Sequence, residues 1–210
     1  SLIMEVVKKY DIDGIQGDDR LPAMPSEAGY DDYTISLYKK EFNGNNPPLD
    51  HKDADWINWR ADLLTEYMGK IYNSVKSENK NIIVSMAPSI HPWAKEEYLQ
   101  DWPEWVKRGY VELIIPQLYR YDIAAYKLLL DEILNNQLSG GNKELFYPGI
   151  LLKVGSYYPK EEFLKEMVCL NRDNKINGEV FFFFEGLKKY PFLFKEIYKE
   201  KIKFPDVLRK

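Results

Sequence analysis

The chain has 210 residues, of which 45% are hydrophobic and 15% aromatic, enough apolar surface to bury one sizeable core, and a single domain over residues 1-210 is expected. A net charge of -4, with no long run of basic residues, argues against a surface that tracks a phosphate backbone, so no nucleic-acid partner is expected. No stretch reaches the ~18 to 20 apolar residues of a membrane span, and one cysteine cannot form an internal disulfide.

In chain order, Leu2, Val6, Val7 and Tyr10 have helical spacing and lead into a short strand over residues 12 to 17. The start lacks the basic and apolar regions of a signal peptide and lies inside a helical pattern without an initiator Met. The expectation is that an upstream portion has been removed. Residues 18 to 53 follow, rich in proline and glycine, and read as a long loop. Loops of that length in compact domains are usually functional. Trp56, Trp59, Leu63, Leu64, Tyr67, Met68, Ile71, Tyr72 and Val75 predict a helix from Asp53 to Lys76, with Asp53 or Asp55 as its cap.

A second strand begins at Asn81 and ends at Pro88, followed by a loop from Ser89 to Tyr98. Asp101, Pro103 and Gly109 frame a short helix. Val111 to Tyr119 reads as a third strand, Asp122 to Leu138 as a helix, and Leu145 to Leu151 as a fourth strand. Pro159 opens a helix carrying Phe163, Met167 and Cys169, whose apolar neighbours predict a buried thiol. A fifth strand from Gly178 to Phe184 and an amphipathic stretch beyond Pro191 complete the chain. Several strands are almost continuously apolar, as strands covered on both faces are, and alternation with helices predicts a parallel sheet.

Asp18 and Asp19 stand where the first strand ends. Two adjacent carboxylates raise each other's pKa, which suits an acid/base pair or stabilisation of an oxocarbenium ion; a turn or cap role fits the same residues. Tyr119 and Asp122 end the third strand, Tyr119 suited to holding a substrate oxygen and Asp122 either a further carboxylate or a helix cap. Gln117 is polar within an apolar strand and needs a partner. Arg60, in the first turns of the long helix, is placed to form a forked pair with Asp18 or Asp19, or to be surface charge. His91 and Trp93 follow the second strand, where an aromatic face can stack on a sugar ring. Glu185 is the last carboxylate at a strand end. No histidine or cysteine cluster has metal-ligand spacing and no phosphate-binding glycine loop occurs, so neither metal nor cofactor is expected.

Tyr10-Asp-Ile-Asp-Gly-Ile-Gln-Gly-Asp-Asp19, Trp59-Arg60, Ser85-Met-Ala-Pro88, Trp105 with Gly109-Tyr-Val111, Pro116-Gln-Leu-Tyr119, Tyr147-Pro-Gly-Ile150, Asn171-Arg172 and Gly178 with Phe182-Phe183 come in an order and spacing that resembles the glycosyl-hydrolase-like 10 family. The resemblance implies a (β/α)8 TIM barrel in bacterial, usually exported, proteins, some of which cleave glycan strands. It implies that Asp18 and Asp19 end the fourth strand, so that this chain is the C-terminal portion, about strands 4 to 8, with the N-terminal strands missing. A lost half-barrel or a second chain would then complete the fold. The expected activity is cleavage of O-glycosidic bonds by carboxylate acid/base catalysis; the alternative is a non-catalytic carbohydrate-binding protein on a degenerate barrel. Arg20 stands where the family usually carries an aromatic residue, and Gln16-Gly17 replaces a more usual His-Phe.

Overall fold

The protein is described by a computed structural model over residues 2–138 and 141–199. Helix α1 (Leu2–Lys9) buries Val7 against the main core and leads into β1 (Gly14–Gly17). The expected loop between residues 18 and 53 contains a helix, α2 (Asp32–Glu41). Asp31 caps it, accepting hydrogen bonds from the Thr34 amide at 3.0 Å and the Thr34 hydroxyl at 2.6 Å, so the loop reading is corrected by an ordinary N-cap. Next comes the long helix α3 (Ala54–Glu78), its start fixed by Asp53, which accepts from the amides of Asp55 and Trp56, both at 3.0 Å.

Strand β2 (Ile83–Met86) is buried throughout. The segment after it, expected to be a loop to Tyr98, contains the short helix α4 (Trp93–Tyr98) and is followed by α5 (Trp102–Lys107). Only Leu113–Ile114 of the third strand forms a regular ladder, β3. Pro116, which has no N–H, interrupts it; pairing resumes where the Gln117 amide donates to the Pro88 carbonyl at 3.0 Å. Helix α6 (Ile123–Glu132) continues into a wide turn over Ile133–Gln137, and a tight turn over Asn142–Leu145 precedes β4 (Gly149–Leu151). Helix α7 (Glu161–Asp173), β5 (Val180–Phe182), a tight helical turn over Phe184–Lys189 and α8 (Leu193–Ile197) follow.

Among the described residues every ladder between strands is parallel. β1 pairs with β2 and β2 with β3, while β4 pairs with β5. Parallel bridges from Ile114 to Phe146 and from Gln117 to Gly149 join the two groups, so spatial order equals chain order. Parallel neighbours need crossovers, and each crossover here contains at least one helix. Val84, Met86, Ile114, Ile150 and Leu152 form a continuous core with Trp102, Trp105, Tyr126, Leu130 and Met167. A smaller cluster fastens α2 to α3: Trp56 and Trp59 stack at 5.2 Å, and Tyr38 meets both edge-on at 5.2 Å. Cys169 is exposed on α7, against the buried thiol expected from its apolar neighbours. Met167 and Val168 take the inward positions, and Cys169, one residue further round, falls on the outer face. No described helix is long and apolar enough to cross a membrane.

Candidate active site

With the described strands parallel, their C-termini lie at one end of the sheet, and the predicted site residues that follow β1 and β3 meet there. Gly17 ends β1; its carbonyl accepts from the Ala87 amide at 2.7 Å, locking it to the end of β2. A Cβ on Gly17 would come within 2.5 Å of the Leu21 carbonyl oxygen and of the Met86 sulfur, so the chain can fold back here only without one. The turn continues with Asp18, whose carboxylate accepts from the Arg20 amide at 2.8 Å. Asp18 is exposed and Asp19 half-buried. The Arg20 guanidinium pairs with Asp19 Oδ2 at 3.2 Å and donates to the Asp19 carbonyl at 3.1 Å, while its carbon centre lies 4.1 Å from the centroid of the Tyr98 ring.

Close enough to this turn to sense its charge is Tyr119, in the segment that follows β3. Burial holds its phenol well above the usual tyrosine range, and the negative charge of Asp19 pushes it further the same way, so Tyr119 is a neutral donor at physiological pH. Its ring stacks on Phe182 at 5.8 Å; Phe182 touches Phe183 at 5.2 Å, and Lys153 lies 5.4 Å from the Phe183 centroid. Lys153 is also ion-paired with Glu185 at 3.0 Å, which places that carboxylate at the β5 end of the same row. On the opposite side Tyr98 meets Trp93 edge-on at 5.4 Å. A row of rings and charges, Trp93, Tyr98, Arg20, Asp19, Tyr119, Phe182, Phe183 and Lys153, thus runs along the strand ends with the acidic pair inside it. Gln117 finds its partner next to the row, donating to the Ala87 carbonyl at 3.1 Å.

Other predicted residues have different surroundings. Arg60 makes no forked pair with Asp18 or Asp19. Its guanidinium is buried and donates to the carbonyls of Ser26, of Ala28 at 2.6 Å, of His51 at 2.8 Å and of Trp56 at 3.2 Å, lying 4.4 Å over the Trp56 ring. Helix α3 carries it against the segment after β1, where its hydrogen bonds all go to main-chain oxygens. Asp122 accepts from the Ala125 amide at 2.8 Å and caps α6, as its position before a helix allows. His91 lies 3.5 Å from Asp101 and edge-on to Trp102, lining a separate cleft of about 570 Å³ with Lys52, Asn58 and Lys95. Asp101 does not cap α5; burial disfavours its charge, but hydrogen bonds from His91 and Lys95 and the Lys95 charge prevail and bring it down to about 2.

Neither Tyr98 nor Lys153 is a candidate from sequence, and Phe182-Phe183 enters there only as part of the family resemblance. Lys153 carried the same signal as Asp18, being the first polar residue after an apolar strand. Tyr98 carried none, since its helix lay within an expected loop.

The chain shares its fold with a glycoside hydrolase domain of known structure. It is similar to the structure of the PgaB (BpsB) glycoside hydrolase domain from Bordetella bronchiseptica, with a TM-score of 0.74 and 12% identity over 96% of this chain and 60% of that one. The family model for glycosyl hydrolase-like 10 matches residues 1–141, and the chain belongs to that family. Among curated proteins it is similar to the glycosyl hydrolase DigH of Escherichia coli (strain K12) and of Shigella flexneri, each 25% identical over 150 residues. Those matches cover 60% of this chain and 31% of the relative, so the chain spans about a third of the length of the curated relatives it matches.

Proposed function

We propose that this chain contributes the strand-end carboxylates of a glycoside hydrolase acting on a polysaccharide or glycan strand. The observation that carries the reading is the half-buried Asp19 carboxylate beside the protonated Tyr119 phenol at the parallel strand ends of a glycosyl hydrolase-like chain. Asp18 or Asp19 would stabilise the positive charge that develops at the anomeric carbon or move the proton of the attacking water, and Tyr119 would donate to a sugar oxygen. The exposed ring of Phe182 offers an apolar face to the C–H side of a pyranose. Converting Asp19→Asn is expected to abolish release of new reducing ends from glycan strands freed of stem peptides. Undiminished release sinks the reading.

The Arg20–Asp19 ion pair favours a second reading, a carbohydrate-binding protein without activity, because it occupies one oxygen of the acidic pair. Saccharide binding with no new reducing ends in the unaltered protein supports it.

We read the strand order as the C-terminal portion, about strands 4 to 8, of a (β/α)8 barrel, with the remaining units supplied by an N-terminal half-barrel or a second chain. Supporting this, the outer edge of β1 borders an apolar groove of about 360 Å³ lined by Leu2, Ile3, Val6, Ile15 and Met86. Exposed Phe182 and Phe184 lie at the other edge. An exported location agrees with a glycan substrate. Amide exchange at Gly14–Gly17 is expected to slow when the missing units are present; unchanged exchange argues against the barrel.

A further inference from the structure

Arg20 touches more of the acidic turn than any single contact in it requires. Its amide is held by Asp18 at 2.8 Å, and one nitrogen of its guanidinium serves both the Asp19 carbonyl at 3.1 Å and Asp19 Oδ2 at 3.2 Å. The guanidinium is in turn laid over Tyr98 at 4.1 Å, a ring supplied by α4 from the far side of β2. A carboxylate on a two-bond side chain has few rotamers, and pinning one oxygen to the same nitrogen that binds its own carbonyl selects one of them. Among the described residues no group donates a hydrogen bond to Asp19 Oδ1. That oxygen is left for a substrate or water, next to a phenol that registers the Asp19 charge.

We propose that Arg20 is a positioning residue: backed by Tyr98, it fixes the Asp19 carboxylate in the orientation in which one oxygen is paired and the other faces its reaction partner. The proposal rests on the glycosidase reading. It turns the ion pair that favours an inactive protein into a device for catalysis, since a carboxylate that stabilises a cation must stay ionised and still. Lysine cannot replace arginine fully. An ammonium supplies the charge but not a planar group that lies flat on a ring while bonding along its edge.

The test uses the chain together with the units that complete the barrel and needs two readouts. Crystal structures of Arg20→Met and Arg20→Lys report the Asp19 orientation without any substrate; Arg20 is 55% exposed, so neither change should unfold the protein. Cleavage of glycan strands freed of stem peptides reports kcat and KM. In Arg20→Met the Asp19 carboxylate is expected to leave its orientation and kcat to fall roughly 10- to 100-fold at nearly constant KM. Arg20→Lys is expected to recover part of kcat, and Tyr98→Leu to lose part of it. An unmoved Asp19, or an unchanged kcat with Asp19 displaced, overturns the proposal. Undiminished cleavage by Asp19→Asn instead overturns the reading beneath it, and the two failures are distinguishable.

Discussion

The Tyr119 phenol, in the segment after β3, lies within the electrostatic reach of the Asp19 carboxylate, in the turn after β1. Burial is the larger cause of the raised Tyr119 pKa and the Asp19 charge the smaller, so Asp19→Asn should lower it without returning it to the ordinary value. Following the labelled Tyr119 ring carbon through an alkaline NMR titration measures the shift. A titration that does not move would mean that the two side chains do not sense each other.

Alkaline stability follows from the same physics. Tyr126 and Tyr198 are also raised, mainly by burial, and Tyr190 is pushed up to about 12 from an ordinary value of 10.0. A group with a raised folded pKa keeps a proton that the unfolded chain releases, so its contribution is complete below the unfolded value and is lost as pH climbs through the folded one. Stability to urea should therefore decline above pH 10, and Tyr190→Phe should flatten the decline between 10 and about 12.

Asp101 gives the opposite slope. Its folded value of about 2 lies below the ordinary 3.8, so its contribution, roughly 2 kcal/mol, is present above the ordinary value and disappears as pH falls towards 2. Asp101→Asn should be less stable at neutral pH and should lack this part of the acid transition, as seen by circular dichroism across that window.

Arg60→Ala should destabilise the protein by about 3 kcal/mol, since it removes charge-assisted hydrogen bonds to four carbonyls together with the stack on Trp56. Arg60→Lys should recover little, because a point charge cannot reach carbonyls spread around a planar fork. Denaturant midpoints compare the two.

Gly17→Ala should cost about 1 to 3 kcal/mol, because the Leu21 carbonyl, 2.5 Å from the added carbon, belongs to main chain that must shift. The acidic turn lies between these two residues, so cleavage should fall more than thermal stability suggests.

What the sequence made legible was periodic. The apolar repeat of α3 and the proline, glycine and aspartate boundaries placed the strands and most helices, because burial on one face imposes spacing. Helices α2 and α4 escaped because they are short and sit among prolines and glycines; their stability comes from Tyr38 between Trp56 and Trp59, and from the contacts α4 makes with the segment after β1. The acidic pair and Tyr119 could be placed because strand ends converge in a parallel sheet. Arg60 misled because a charged residue near a mouth suggests a carboxylate partner, whereas backbone oxygens satisfy a guanidinium equally well and leave no trace in composition. Arg20 acquired its place only through Tyr98, a contact between segments far apart in the chain.

The way Arg60 holds the segment after β1 has a consequence for how the family can diversify. It grips Ser26, Ala28 and His51 solely through their carbonyls, and every amino acid carries one. The side chains of Ala28 and His51, both only partly buried, can therefore change without loosening the anchor, so a new rim for a different ligand can be drafted there while the frame beneath it stays put.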